Sequence, residues 1–279
     1  MNWKNFLLRL KLTGGIDYLT MLQVVTKLAT FDTINAEKIW QADLPASLKK
    51  KAWHALRDRS LAVKIARIEA ECEVITFFDP AFPERLRQCY RPPLLLFARG
   101  DLSLLKKHVT VIAGTRQPTG YSQQLLDKII PWLVEQDIVV ATGLARGVES
   151  WASRLVLKKQ GQPVAIVGNG LNYIYPAENR HLQKEIAQKG LVVSEYLPDT
   201  PPQPFRFPER DRVLAGLSEN VIVTEAGERS GSLITANLAL QENRNIFAVP
   251  GPIFSKSSRG TNQLIAAGAT PLVDLSFAL

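Results

Sequence analysis

Four short glycine-rich segments each close a run of β-branched residues, and this arrangement restricts the fold more than any other feature of the chain. They are GTRQPTG at 114–120 after VTVIA, TGLARG at 142–147 after IVVA, GNG at 168–170 after PVAIVG, and EAGERSGS at 225–232 after NVIVTE. Apolar runs of four to six residues without polar alternation mark strands covered on both faces, and helical segments between them supply crossovers. Helices are expected at 121–136, 148–160, 177–188, 232–242 and near 262–267, with a proline-rich loop at 197–208 and a short helix after it. In the first of these helices Leu125, Leu126, Ile129, Ile130 and Leu133 recur at helical spacing and form a core-facing stripe. The expected fold is α/β: an extended Rossmann-type, doubly wound, mostly parallel sheet. Such sheets bind ligands beyond the carboxyl ends of their strands, so several turns along one rim define a long site suited to an extended polyanion.

The first part of the chain reads differently. Leu7, Leu8, Leu10 and Leu12, then 18–28, then one long run at 47–71 opened by Pro45, predict a small helical domain. Gly14 and Gly15 turn its first two helices into a hairpin. Two short β-like stretches at 74–78 and 94–98, separated by prolines, join it to the sheet, giving expected domains of 1–73 and 74–279. Of the net charge of +8, residues 1–108 hold +7, with 18 Lys and Arg against 11 Asp and Glu, whereas residues 109–279 hold +1. An anion site in the sheet domain must therefore come from a few placed arginines and backbone N–H groups rather than from bulk charge.

Two cysteines, Cys72 and Cys89, are too few for a disulfide framework and lack metal-ligand spacing. The N-terminal segment has charges interrupting its apolar residues, unlike a signal peptide, and no stretch has the length of a membrane span. The expectation is a cytoplasmic protein.

The turns supply the candidate site. Gly114, Thr115 and Arg116 end the first strand ahead of a helix N-terminus, where unpaired N–H groups and a forked guanidinium suit a phosphate. Neither G-x-G-x-x-G nor a P-loop lysine is present, which disfavours nucleoside triphosphate hydrolysis. Gly143, Arg146 and Gly147 repeat the device on the second turn. Ser230, Gly231 and Ser232 form a third cradle with Arg229 beside it. In GNGLNYIYPAEN, Asn169 is placed to hydrogen-bond a base or sugar and Tyr173 or Tyr175 to stack, although Tyr175 before Pro176 reads rather as an anchor. The segment FRFPERDR interleaves Arg206, Arg210 and Arg212 with Phe205 and Phe207, a pattern that offers phosphate neutralisation and stacking to a single strand.

Catalytic signals are thin. His54, His108 and His181 are scattered, no G-x-S-x-G elbow exists, and Glu149, Glu195 and Glu225 near strand ends lack a nucleophile or metal partner. No catalytic residue, metal or cofactor is expected. The alternative is a nucleotide phosphoribohydrolase-like Rossmann enzyme, but AGERSGSLITA lacks the P-G-G-x-G-T-x-x-E signature of the lysine-decarboxylase-like phosphoribohydrolases.

In order, IAGTR, TGLARGVE, GNGLNYIYPAEN, VVSEY, FPERDR, SGSLITA, AVPG and GTNQLIAAGA resemble the DNA-processing protein A (DprA or Smf) family over roughly residues 75–275. The N-terminal helices resemble, more weakly, the family's sterile-alpha-motif-like domain. The resemblance implies a homodimer that binds single-stranded DNA without sequence preference, protects incoming DNA and loads the RecA recombinase during natural transformation, in competence and DNA recombination. It implicates Arg116, 143–147, Asn169, Gly170, Arg210, Arg212 and 230–232. Departures from the family's pattern are Asp211 for Asn, Glu149 for Asp, Ser153 for His, and Ala177 for a basic residue, with Arg180 three positions later. The chain ends soon after its last expected strand, leaving out the winged-helix domain carried by some members.

Overall fold

The computed structural model describes residues 1–274; residues 275–279, the end of the expected second domain, lie outside the described residues. The chain forms two units, Met1–Phe82 with Pro93–Phe97, and Pro83–Pro92 with the chain from Ala98 on.

The first unit contains α1 (Trp3–Leu12), α2 (Tyr18–Leu28), α3 (Ala36–Gln41), α4 (Ala46–Arg57) and α5 (Ser60–Glu71), then β1 (Glu73–Thr76) and the start of β2 (Leu95–Gly100). Side-chain caps set the first three helices: Asn2, Asp17 and Asn35 accept from the N–H groups of Asn5, Thr20 and Lys38. The single helix expected at 47–71 is two. Asp58 is extended, and its carboxylate accepts from both the N–H and the hydroxyl of Ser60, so a local side-chain bond replaces helix continuation. Phe6, Leu7, Leu8 and Leu10 of α1 are fully buried, and Trp3 stacks on Phe78 with ring centroids 4.2 Å apart. Arg9 is buried too, donating to the carbonyls of Ala55 and Asp58, which ties α1 to the α4–α5 corner.

The second unit begins with the short helix α6 (Glu84–Arg87) and then alternates. It runs β3 (Val109–Ala113), α7 (Gly120–Glu135), β4 (Val139–Thr142), α8 (Val148–Lys158), β5 (Val164–Val167), α9 (Arg180–Lys189) and β6 (Leu191–Ser194). After them come α10 (Arg206–Leu217), β7 (Asn220–Val223), α11 (Gly231–Gln241), β8 (Asn245–Ala248), α12 (Arg259–Ala266) and β9 (Thr270–Pro271). The order across the sheet is β6-β5-β4-β3-β7-β8-β9, and each neighbouring pair in that run is parallel. The α/β doubly wound reading therefore holds. The α7 stripe packs as expected, with Leu126, Ile129, Ile130 and Leu133 fully buried against Ile112, Val140 and Val148. One element was misplaced: α10 starts at Arg206, inside the expected 197–208 loop. Pro208 sits in its first turn, where a missing N–H costs nothing, so the proline starts the helix instead of ending the loop.

The chain winds outward from β3 to β6 on one side and returns to build β7 to β9 on the other. The winding reverses between β3 and β7, the position where sheets of this kind hold ligands.

Candidate nucleic-acid interface

At that reversal the turns after β3, β4 and β7, with the start of α10, enclose a groove of about 790 Å³. Arg116 marks the turn after β3, Ala145 the turn after β4, Arg229 and Ser232 the turn after β7 and the start of α11 that follows it, and Phe207 and Arg210 the start of α10. A smaller hollow beside it is walled by Arg116, Gly143, Arg146, Tyr175 and Phe207.

The rim is built as one piece. Thr115 N–H donates to the Glu225 carbonyl at 2.8 Å, and Val148 N–H donates to the Thr115 carbonyl at 3.2 Å, so the turns after β3, β4 and β7 are bonded in series. Glu225, 2% exposed, accepts from the Thr119 N–H at 3.0 Å and the Thr119 hydroxyl at 2.9 Å. Burial alone would raise its pKa; hydrogen bonds from Ser122, Thr119 and Ser257 outweigh it and hold the carboxyl below its ordinary value. Gly147 has φ of 77°, and a Cβ there would run into the Thr115 carbonyl and the Arg116 backbone, so glycine is needed for the second turn to lie against the first.

The arginines divide into three kinds. Arg116 and Arg229 are exposed on the groove and make no hydrogen bond or ion pair among the described residues. Arg146 is exposed but forks onto Glu178, with Nη2 to Oε2 at 2.9 Å and Nε to Oε1. That bond holds the Glu178 carboxyl below its usual range, and at the surface it is an exchangeable contact. Arg210 and Arg212 point into the protein. Arg210 is 6% exposed, donates to the Ile166 carbonyl at 2.9 Å, lies 3.0 Å from Asp211 and 4.0 Å from Glu149. A Cβ on Gly143 would overlap its guanidinium, so that glycine makes room for the arginine rather than for a ligand. Arg212 forks onto Glu195 at 2.5 Å and the Arg91 carbonyl, outside the groove lining.

Several other expected contacts also move. Asn169 is 1% exposed and spends its amide N–H bonds on the carbonyls of Gly170 and Tyr173, each at 3.0 Å, so it shapes its own turn instead of facing the groove. Gly170 is closed in by the carbonyls of Leu197 and Pro198 and donates to Thr200. Phe205 is 60% exposed but outside the groove lining; Phe207 takes the wall position and packs on Tyr175 at 5.2 Å between centroids. Gly114, Thr115, Ser230, Gly231 and Ser232 do line the groove, with a 2.7 Å bond between the Ser230 and Ser232 hydroxyls. Ser230 is the N-cap residue of α11 but makes no side-chain cap bond, which leaves first-turn donors of that helix to the groove.

Two carboxylates also line the groove: Glu149, one of the strand-end glutamates expected to accept from loop N–H groups or orient an arginine, and Asp211, the departure expected to repel a phosphate unless a neighbouring arginine compensates. Glu149 accepts from Ala145 N–H at 3.1 Å. Asp211, 8% exposed, has its pKa pushed up to about 6 by burial and by Glu149, against the opposing pull of Arg210, a hydrogen bond from Thr235 and the charge of Arg116. Thr235, one turn beyond Gly231 on α11, was missed because nothing in ITAN distinguishes a groove threonine from a packed one.

Residues 73–278 match the model of the family described as DNA recombination-mediator protein A. The chain belongs to this family, DprA or Smf. Within it, the chain is 40% identical over 202 residues to DNA processing protein DprA of Bacillus subtilis (strain 168), spanning 72% of this chain and 68% of the relative. The X-ray structure of DprA from Streptococcus pneumoniae superposes with a TM-score of 0.86 at 31% identity, over 99% of this chain and 96% of that one. A DprA structure from Helicobacter pylori, described for its single-stranded DNA binding mode, gives a TM-score of 0.66 at 32% identity over 73% of this chain and 92% of that one. Among the described residues no helix is long and apolar enough to cross a membrane, and no cluster of His, Cys, Asp or Glu is placed to hold a metal.

Proposed function

We propose that the groove at the β3/β7 reversal binds single-stranded DNA without sequence preference. The observation that carries the reading is the pairing of exposed, unengaged Arg116 and Arg229 with N–H-rich turns along one continuous rim. These groups address phosphates, which every sequence shares, and the Phe207–Tyr175 pair offers a stacking surface to any base. In the cell, this activity serves a cytoplasmic homodimer that shields incoming DNA and passes it to RecA during natural transformation, a role supported by membership of the DprA family.

Fluorescence anisotropy with labelled oligothymidine, a mixed-sequence strand and a duplex tests the binding step. The two single strands should bind alike, the duplex more weakly, and log affinity should fall linearly with log salt. Strong sequence preference or salt-independent binding contradicts the reading. For the second step, RecA strand exchange on DNA coated with a competing single-strand binder should accelerate when the chain is added.

One observation favours nucleotide hydrolysis instead: a groove carboxyl with a raised pKa, Asp211. Its neighbours argue for a structural part, since Arg210 and Thr235 already engage it. Incubation with nucleoside monophosphates should release no free base; release would establish the enzyme.

A further inference from the structure

The turn that follows β5 has two sides. Tyr175 lines the groove described above, whereas Leu171, Asn172 and Ile174 line a separate pocket of about 420 Å³ against α9 and β6. Its apolar lining is Leu171, Ile174, Ala187 and Val192. Its charged lining is cationic throughout, from Arg99, Arg180 and Lys184, with no carboxylate among the described residues of the wall. The main groove, by contrast, carries Glu149 and Asp211. Arg180 and Lys184 stand one helical turn apart and both are exposed, while Arg99 is fixed by donating to the Leu171 carbonyl at 2.9 Å and to Asn172 Oδ1.

A second, independent feature lies between the two cations on α9. Gln183 also lines the pocket, is 6% exposed, and donates through Nε2 to the Tyr173 carbonyl at 3.2 Å. That bond fixes the amide, and its Oε1 is a buried acceptor with no hydrogen-bond partner. A buried amide oxygen left unpaired is costly, and a donor arriving with a ligand relieves that cost. Cations, an apolar floor and one waiting acceptor together describe a ligand with an anionic group, a flat apolar body and an N–H edge. We propose that this pocket is a second nucleotide-binding site, seating phosphate on Arg180 and Lys184 and offering Gln183 Oε1 to the edge of a base.

A nucleotide can come from solution or from a bound strand that continues past the groove. Only the second source rests on the reading of the groove. The test uses the full chain carrying Arg116→Ala, so that the groove is weakened, with dTMP as the free probe and oligothymidines of two lengths as the strand probe. Lys184→Glu and Gln183→Met should each weaken dTMP binding about tenfold, the loss of one charge-assisted or buried hydrogen bond. Lys189→Glu, a charge-matched change on the same helix outside the pocket, should leave it unchanged. If Lys184→Glu also weakens the longer oligothymidine but not the shorter, the pocket takes nucleotides of the bound strand; if it alters dTMP binding alone, the ligand is a free nucleotide. Unchanged affinity for dTMP and for the long strand in both pocket variants overturns the proposal, as does an equal loss in Lys189→Glu. Failure of the groove reading shows separately, as short-strand affinity that Arg116→Ala does not alter.

Discussion

The turn after β3 and the first turns of α10 both bring arginines to the same groove, yet they deliver opposite chemistry. Arg116 stands on an exposed loop that Thr115 bonds to Glu225 and Val148, and its guanidinium makes no hydrogen bond or ion pair among the described residues, reaching Asp211 only through its charge. Arg210 projects from a helix packed over β5, donates to the Ile166 carbonyl, and has its charge met by Asp211 and Glu149. What an arginine can offer a ligand is decided by the unpaired acceptors around it, not by its distance from the site. One wall of the groove is thus a bare cation and the other an internally neutralised network.

The sharpest break of this comparison is Arg210→Ala. It should cost about 3–5 kcal/mol of stability by stranding Asp211 and Glu149, seen as a lower midpoint in urea. Lost DNA affinity with an unchanged midpoint would move Arg210 to the binding side. Next, Arg116→Ala should lower affinity for all single strands about ten- to a hundredfold and reduce the salt slope by about one, with no change in thermal midpoint. A third test uses Asp211, whose carboxyl has risen from 3.8 to about 6. As pH falls through that value the groove wall loses a negative charge, so strand affinity should rise; Asp211→Asn should bind more tightly at neutral pH and flatten the profile. The folded chain also holds this proton more tightly than the unfolded one, so the carboxyl's stability contribution falls as pH rises from 3.8 toward 6, and Asn should remove that slope in urea titrations across the same range. Smallest, Glu178→Gln should release Arg146 and raise affinity roughly twofold at low salt, an effect that screening erases at high salt.

The sheet was legible because its signals are local: apolar runs, glycine at their ends and helical stripes such as Leu126–Ile129–Ile130 repeat along the chain. The groove-lining turns 114–116 and 230–232 were legible for the same reason. Misreadings arose where the partner was distant in sequence. Arg210 meets Ile166, Arg212 meets Arg91, and Gly143 is small because Arg210 needs its space. Asn169 and Gly170 lie in a motif whose polar look conceals internal bonding of the Asn169 amide N–H groups to Gly170 and Tyr173 and of the Gly170 N–H to Thr200. The split between α4 and α5 is different, since Asp58 and Ser60 stand two residues apart and were overlooked beneath a strong helical run.

Glu225 knots the end of one strand to the start of the helix that follows another. A rim stitched in that way has its contour before any guest arrives, so little of the ordering entropy of association falls on the protein and most falls on the limp polymer that must follow it.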